Sequence, residues 1–301
     1  MRLRISCEIH YWEYLVCQSK MKNSSASVTM FGAISIVNAI ATGKGCTFGI
    51  SQKVRVKISL EQGHHGISRN FQNDKLVNKI IRSILPAGVL KNHFVSISLT
   101  SEIPAGWGLK SSSAVSNAIS LACYKLLDDQ IYDRAVLSTA VNSSLWAKVS
   151  MTGAFDDACA CYYGGVILTD NHYKKIIKRD VVNNELAVVI YLPTGVARGE
   201  VPKLRIHKDL FNHAFRLALK GDYWKAMNLN GVLINSVLYN NYAPMITAFE
   251  NHCLSISHSG NGPAIAAVLY KDNVENFVNS MEKFDGKIIL AKVNNTKATV
   301  E

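Results

Sequence analysis

The stretch Pro104-Ala105-Gly106-Trp107-Gly108-Leu109-Lys110-Ser111-Ser112-Ser113-Ala114 decides how the chain is read. It follows an alternating segment, 94–100, in which Val95, Ile97 and Leu99 share one face. It opens onto a segment with Val115, Ala118, Ile119, Ala122 and Leu126 at helical spacing, predicting a helix over 112–127. A strand, a glycine loop and a serine-bearing helix start therefore succeed one another. Gly106 and Gly108 let backbone approach an anion closely. The serines supply small hydroxyls and exposed N–H groups, and the helix N-terminus adds partial positive charge. An ordinary N-cap needs one serine; three behind two glycines exceed that need, so the loop reads as a phosphate site. A serine hydroxyl there also suits Mg²⁺ carried by phosphates.

Other phosphate loops fail. Around Gly43-Lys44 a Walker motif requires Gly at 38 and Ser or Thr at 45, where the sequence has Asn38 and Gly45. No GxGxxG stands between a strand and a helix.

Outward from the loop, 54–60 alternates with Val54, Val56, Ile58 and Leu60 on one face, predicting a half-buried strand. Helices are expected at 72–85, 131–149, 208–219, 222–239, 243–250 and 273–283. Strands are expected at 164–169, 187–192, 253–257, 264–270 and 286–293. Without regular βαβ alternation the pattern favours α+β. The domain boundary falls within 150–185 and is set at 165/166, dividing 21–165 from 166–301.

Three further loops carry candidate chemistry. In Thr152-Gly153-Ala154-Phe155-Asp156-Asp157-Ala158, two carboxylates follow a glycine turn; one can take a hydroxyl proton or hold a metal, while the other caps the following helix. Ser257-His258-Ser259-Gly260-Asn261-Gly262-Pro263 is a glycine-rich turn between strands, suited to closing over a phosphate or to turning alone; an exposed His258 is the plain expectation. Gly32 to Gly45 is rich in small residues around Asn38 and Lys44, which suits either a nearby ligand or tight packing.

The bulk numbers agree with a folded protein of 301 residues: 48% hydrophobic and 18% charged. The net charge of +11 suits a nucleic acid or a small anion. The basic residues are dispersed, the densest group (Lys174, Lys175, Lys178, Arg179) falling in an expected hairpin. Seven cysteines without zinc spacing read as free thiols of a reducing, cytoplasmic setting. No apolar run approaches the length of a membrane span. Residues 1–20, interrupted by Glu8, His10 and Glu13, do not read as a signal peptide. They are expected to be an extension upstream of a start at Met21, whose removal lowers the charge only to +10, since three basic and two acidic residues leave with it.

Taken together, the loops resemble the GHMP kinase superfamily, whose ATP motif PxxxGLxSSxA is matched by Pro104, Gly108, Leu109, Ser111, Ser112 and Ala114. Within it, GAISIVNAIATGKG (32–45), GLKSSSAVSNA (108–118), TGAFDDA (152–158) and SGNGPA (259–264) are similar to the archaeal-type shikimate kinases, from about residue 26 to the C-terminus. The resemblance implies a ribosomal S5-like N-terminal domain and a ferredoxin-like C-terminal one. It implies transfer of the γ-phosphoryl group of ATP to the 3-hydroxyl of shikimate with Mg²⁺, in aromatic amino-acid synthesis. The first superfamily motif, with its PGK-type lysine, is not visible; the 32–45 segment replaces it and keeps Lys44 as a candidate.

Asp157 stands seven residues before Gly164, as the catalytic Asp does in many members, so Asp157 is the expected base and Asp156 its metal partner or a cap. The loop 104–114 would hold ATP, Ser112 sharing Mg²⁺ and Lys110 facing solvent. Asn38, Lys44, Arg198, Gly260 and Gly262 would meet the substrate, whose carboxylate calls for Arg198 or Arg205. Homoserine and mevalonate kinases share the ATP loop, but the GAFDDA and NAIATGKG segments fit the shikimate type better. RNA binding by a basic S5-like fold is the rival from another class and leaves three phosphate-type loops unexplained. Neither nucleic acid nor membrane is therefore expected as a partner.

Overall fold

The computed structural model describes residues 21–301 apart from 64, 69–73 and 151. The expectations for 1–20 and for helix positions 72–73 lie outside the described residues. The first strand, β1 (Ser25–Val37), begins as an alternating strand with Ala26, Val28 and Met30 buried. From Gly32 onward both faces are covered. Helices from both halves of the chain pack on it, so its apolar residues run on without a period. That is why periodicity does not reveal it.

Its partner β2 (Lys44–Gln62) is 19 residues long. Its C-terminal half pairs with β4 (His93–Ser101), which is joined by the short parallel β3 (Gly66–Ile67). Its N-terminal half pairs with β5 (Val166–Asp170), and β6 (Lys175–Asp180) lies beyond. The last strand, β11 (Thr299–Val300), returns from the far end of the chain to pair with β1. On this sheet pack α3 (Ser111–Leu127) and α5 (Phe155–Tyr163), with α1 (Asp74–Ile84) and α4 (Asp133–Trp146) packed in turn against α3; the short α2 (Ala87–Asn92) precedes β4. Helix α3 is enclosed by β1, β2 and three helices, so Asn117, Ser120 and Ala118 on its several sides are all buried.

The second sheet is antiparallel, in the order β10 (Gly286–Lys292), β7 (Leu186–Pro193), β9 (Ile265–Tyr270), β8 (Ser255–His258). Period-two alternation sorts its side chains. Val189, Tyr191, Ala267 and Leu269 pack with α8 (Ala243–Glu250) and α9 (Val274–Met281). Val188, Ile190, Ala266 and Val268 join the main core. There they meet α6 (Lys208–Leu219) and α7 (Tyr223–Ile234), whose Phe215 and Met227 belong to the same cluster as β1 and α3. The expected helix 222–239 divides: its last turn, Asn235–Tyr239, widens to a π turn.

The architecture is thus α+β, as expected. Sheet membership changes between Asp180 and Leu186 instead of at 165/166, because β5 and β6 are hydrogen-bonded into the first sheet. The basic cluster does lie in the β5–β6 hairpin, and the described cysteines are free, with burial pushing the thiols of Cys46, Cys159 and Cys161 up. Among the described residues no helix is long and apolar enough to cross a membrane.

Candidate active site

The loop between β4 and α3 ends at Lys110, the residue that occupies the N-cap position of α3. Lys110 is left-handed (φ 66°, ψ 24°) and makes no side-chain capping bond. The first intrahelical bond closes from Ala114 N–H to the Lys110 carbonyl. The N–H groups of Ser111, Ser112 and Ser113 are the ones an α-helix leaves without intrahelical partners, and all three residues line an open cleft of about 1100 Å³, counting solvent at its mouth. A helix end left uncapped toward a cleft is an anion seat.

The left-handed turn at Lys110 sends its side chain inward. The side chain is only 5% exposed, and its Nζ lies 3.0 Å from Asp157 Oδ1 and donates to Ser35 Oγ at 2.8 Å. Lys110 therefore does not face solvent, as its variable motif position suggests; it is the buried cation beside the expected base. Asp157 stands with Asp156 in the first turn of α5, entered through left-handed Ala154 (φ 49°). Burial pushes the Asp157 carboxyl up, to about 6; Lys110 pulls against this and Asp156 adds to it.

Asp156 is held on all sides. Asn171 Nδ2 donates to its Oδ1 at 2.8 Å, Thr47 Oγ1 to its Oδ2 at 3.2 Å, and its own N–H donates to Asn171 Oδ1. The N-cap of α5 is Ala154, so Asp156 is not a cap. Gly45 makes room for it: a Cβ there would stand 2.2 Å from Asp156 Oδ2. Thr47 also reaches Asp157 Oδ1 at 3.5 Å, so one hydroxyl spans both carboxylates.

The loop 259–262 locks onto the loop before α3. Ser259 Oγ donates to the Gly108 carbonyl, Gly260 N–H to Ser35 Oγ, and Asn38 Nδ2 to the Gly260 carbonyl. A Cβ on Gly108 would lie 1.9 Å from the Ser259 carbonyl oxygen, and one on Gly262 2.1 Å from the Trp107 carbonyl carbon. These two glycines serve the contact between the loops. Gly106 (φ 90°) faces the cleft instead, and its carbonyl accepts from Arg198 Nε and Nη2 at 3.0 and 2.7 Å.

A family model described as the GHMP kinases N terminal domain matches residues 75–165. Over 278 residues the chain is 34% identical to a shikimate kinase of Methanothermobacter thermautotrophicus, covering 88% of this chain and 94% of that one. The shikimate kinases of Methanosarcina acetivorans and Pyrococcus abyssi are also 34% identical, over 89% and 84% of this chain and 94% and 93% of their own. The chain belongs to the shikimate kinase family of the GHMP kinases. L. major mevalonate kinase in complex with R-mevalonate superposes with a TM-score of 0.74 at 16% identity, over 93% of this chain and 100% of that one. Homoserine kinase from Cytophaga hutchinsonii gives 0.69 at 18%, over 94% and 99%. These two likenesses speak for the fold.

In this shikimate kinase family member the cleft gathers Asn38, Pro104, Gly106, Gly108 to Ser113, Asp156, Asp157, Arg198 and Gly260. Six expected residues stand off its lining. Ala114 is fully buried in α3, and Gly262 packs on Trp107, itself turned to the core. Ala105 is exposed at the loop's edge. Lys44 starts β2, opposite Asp170, in a turn closed by Thr42. Arg205 lies in the exposed 3₁₀ turn Val201–His207. Asn38 is at the cleft with its side chain already committed to Gly260 and to the Ile40 N–H.

His258 is buried, not exposed: it ends β8 and stacks on Tyr239 at 4.2 Å, and burial pushes it down to about 4. The cleft residues that sequence reading missed include Ser35, in the unperiodic half of β1, Ser144, in the last turn of α4, and Lys148 and Ser150, from the turn between α4 and α5; Thr152, of the expected carboxylate loop, lines the cleft beside them.

The donor set fits a nucleotide-borne metal better than a protein-caged one. Among the described residues no three of His, Cys, Asp and Glu come together. Each oxygen of Asp156 already accepts one hydrogen bond and Asp157 Oδ1 is paired with Lys110, while the exposed hydroxyl of Ser112 lines the same cleft. Mg²⁺ commonly takes one or two protein ligands with phosphates and water completing its shell.

Proposed function

We propose that this protein transfers the γ-phosphoryl group of ATP to the 3-hydroxyl of shikimate, releasing ADP and shikimate 3-phosphate, as a cytoplasmic enzyme of aromatic amino-acid synthesis. The observation that carries the reading is the ion pair of buried Lys110 and half-buried Asp157, which lines the same cleft as the uncapped end of α3. The identity to proteins named shikimate kinase supports the substrate.

The N–H groups of Ser111, Ser112 and Ser113 and the helix end hold the β- and γ-phosphates. Asp157 accepts the proton of the C3 hydroxyl as its oxygen bonds to the γ-phosphorus and the bond to the β–γ bridging oxygen breaks, leaving ADP. Lys110 keeps Asp157 oriented and offsets negative charge as it develops. Mg²⁺, shared between Ser112 and the phosphates, would neutralise the triphosphate. Arg198, fixed by two bonds to the Gly106 carbonyl, has further donors for the shikimate carboxylate.

The test is ADP release with Mg-ATP on shikimate, homoserine and mevalonate, with Asp157→Asn as control. Turnover is expected on shikimate alone, lost in the variant and on chelation with EDTA, while the melting temperature holds. Turnover on another of the alcohols would replace the substrate and keep the fold.

A further inference from the structure

Helices α3 and α4 are joined by five residues, 128–132, and pack against each other. So short a connection makes neighbouring helices antiparallel. The 17 residues of α3 and the 14 of α4 rise about 25 and 21 Å, so the chain leaving α4 comes level with the start of α3. Lys148 stands two residues beyond α4, and it lines the same cleft as Ser111, Ser112 and Ser113.

The local backbone explains its direction. Trp146 turns outward, with the Lys79 ammonium 5.2 Å from its ring. The chain then reverses at Lys148, which is left-handed at φ 57°, a conformation that helix ends normally give to glycine. Its N–H donates to the Leu145 carbonyl and that of Val149 to the Ser144 carbonyl, which fixes the turn. The side chain is exposed, and among the described residues its ammonium has no hydrogen-bond or carboxylate partner. The other two cations of the cleft are engaged, Lys110 by Asp157 and Ser35, and Arg198 by Gly106.

We propose that Lys148 is a phosphate-binding residue, a cation that closes on the β- and γ-phosphates of the nucleotide from the turn after α4. The inference rests on the kinase reading above. It answers a need of this cleft. A triphosphate brings several negative charges to a site that already holds two carboxylates, the buried Lys110 is spent on one of them, and few protein groups are available for a metal. A lysine acts on phosphate as a mobile point charge and needs no fixed fork. A lysine after a helix C-terminus also meets that helix's own partial negative charge; such a role would appear in the melting temperature alone.

The experiment is calorimetric binding of ATP, ADP and AMP to the wild type, Lys148→Met and Lys148→Arg, with KM for shikimate measured beside it. Lys148→Met is expected to weaken ATP by about 10- to 100-fold, ADP by less, and AMP not at all, with Lys148→Arg restoring most of the loss. Shikimate KM at saturating ATP is expected to hold within about threefold. An equal loss for all three nucleotides, or no loss, overturns the proposal. So does a rise confined to shikimate KM, which would make Lys148 a carboxylate receptor. Lys148→Gln carries the same test if the Met variant does not fold. A wild type that binds no nucleotide sinks the kinase reading itself, which the variants would not do.

Discussion

Asp157 sits where three forces meet: burial, the cation of Lys110 and the second carboxylate of Asp156. The outcome is a carboxyl raised to about 6, a value at which a base is still ionised at neutral pH yet takes a proton more readily than an ordinary carboxylate. A base must be deprotonated to act, so kcat/KM is expected to fall tenfold per pH unit below about 6 in the free enzyme. The neighbours act with opposite sign. Lys110 lowers the value, so Lys110→Met should move this acid limb to higher pH. Asp156 raises it, so Asp156→Asn should move the limb lower while retaining turnover. A pH–rate profile of the three proteins checks both, and an unmoved limb in Asp156→Asn would leave that residue a purely structural anchor. Asp157→Asn should cost about 10²–10⁴-fold in kcat, read in single-turnover assays.

At this scale the sequence told much but not the pairing. Asp157 is legible as a candidate from its distance to Gly164. The inward turn of Lys110 is not, because the motif position tolerates many residues and only the left-handed backbone decides which way the side chain goes.

At the scale of elements, the cleft is bounded by two loops far apart in the chain, 104–110 and 259–262, that pack backbone against backbone. Gly108→Ala places a methyl against the Ser259 carbonyl at a φ of 84°. The strain and the displaced loop together are expected to cost about 2–4 kcal/mol, with ATP affinity falling in parallel. Thermal melts and nucleotide titration measure the two effects. Gly106→Ala meets only Arg198 Nη2, at 3.6 Å, so its cost should come from φ alone and be smaller. Elements with one solvent face, such as the C-terminal half of β2, β4 and α6, were readable by period. The second half of β1 and all of α5 were not, because both are enclosed on every side and carry no alternation.

For the molecule as a whole, the first sheet borrows strands from outside the first half. A fragment of residues 21–165 lacks β5, β6 and β11 and exposes the edges of β1 and β2 that they cover. It is expected not to fold, giving far-UV circular dichroism of an unfolded chain or an aggregate. The main core runs from β1 and α3 through α6 and α7 to one face of the second sheet. Unfolding in urea should therefore be a single transition, coincident by tryptophan fluorescence and circular dichroism. Two separated transitions would show that the halves are stable alone.

By itself the sequence determined the α+β class and most element positions, and it marked the loop at 104–114 and the carboxylate pair as candidates. Each of these is local, set by side-chain period, by glycine and serine at a turn, or by neighbours along the chain. Only the tertiary structure decided that Lys110 is buried against Asp157, that Asp156 is held by Asn171 and Thr47, that Gly108 and Gly262 serve loop packing, and that Lys148 lines the same cleft as the start of α3. Those facts depend on groups far apart in the chain being brought within a few ångströms, and on left-handed residues whose direction no periodicity records.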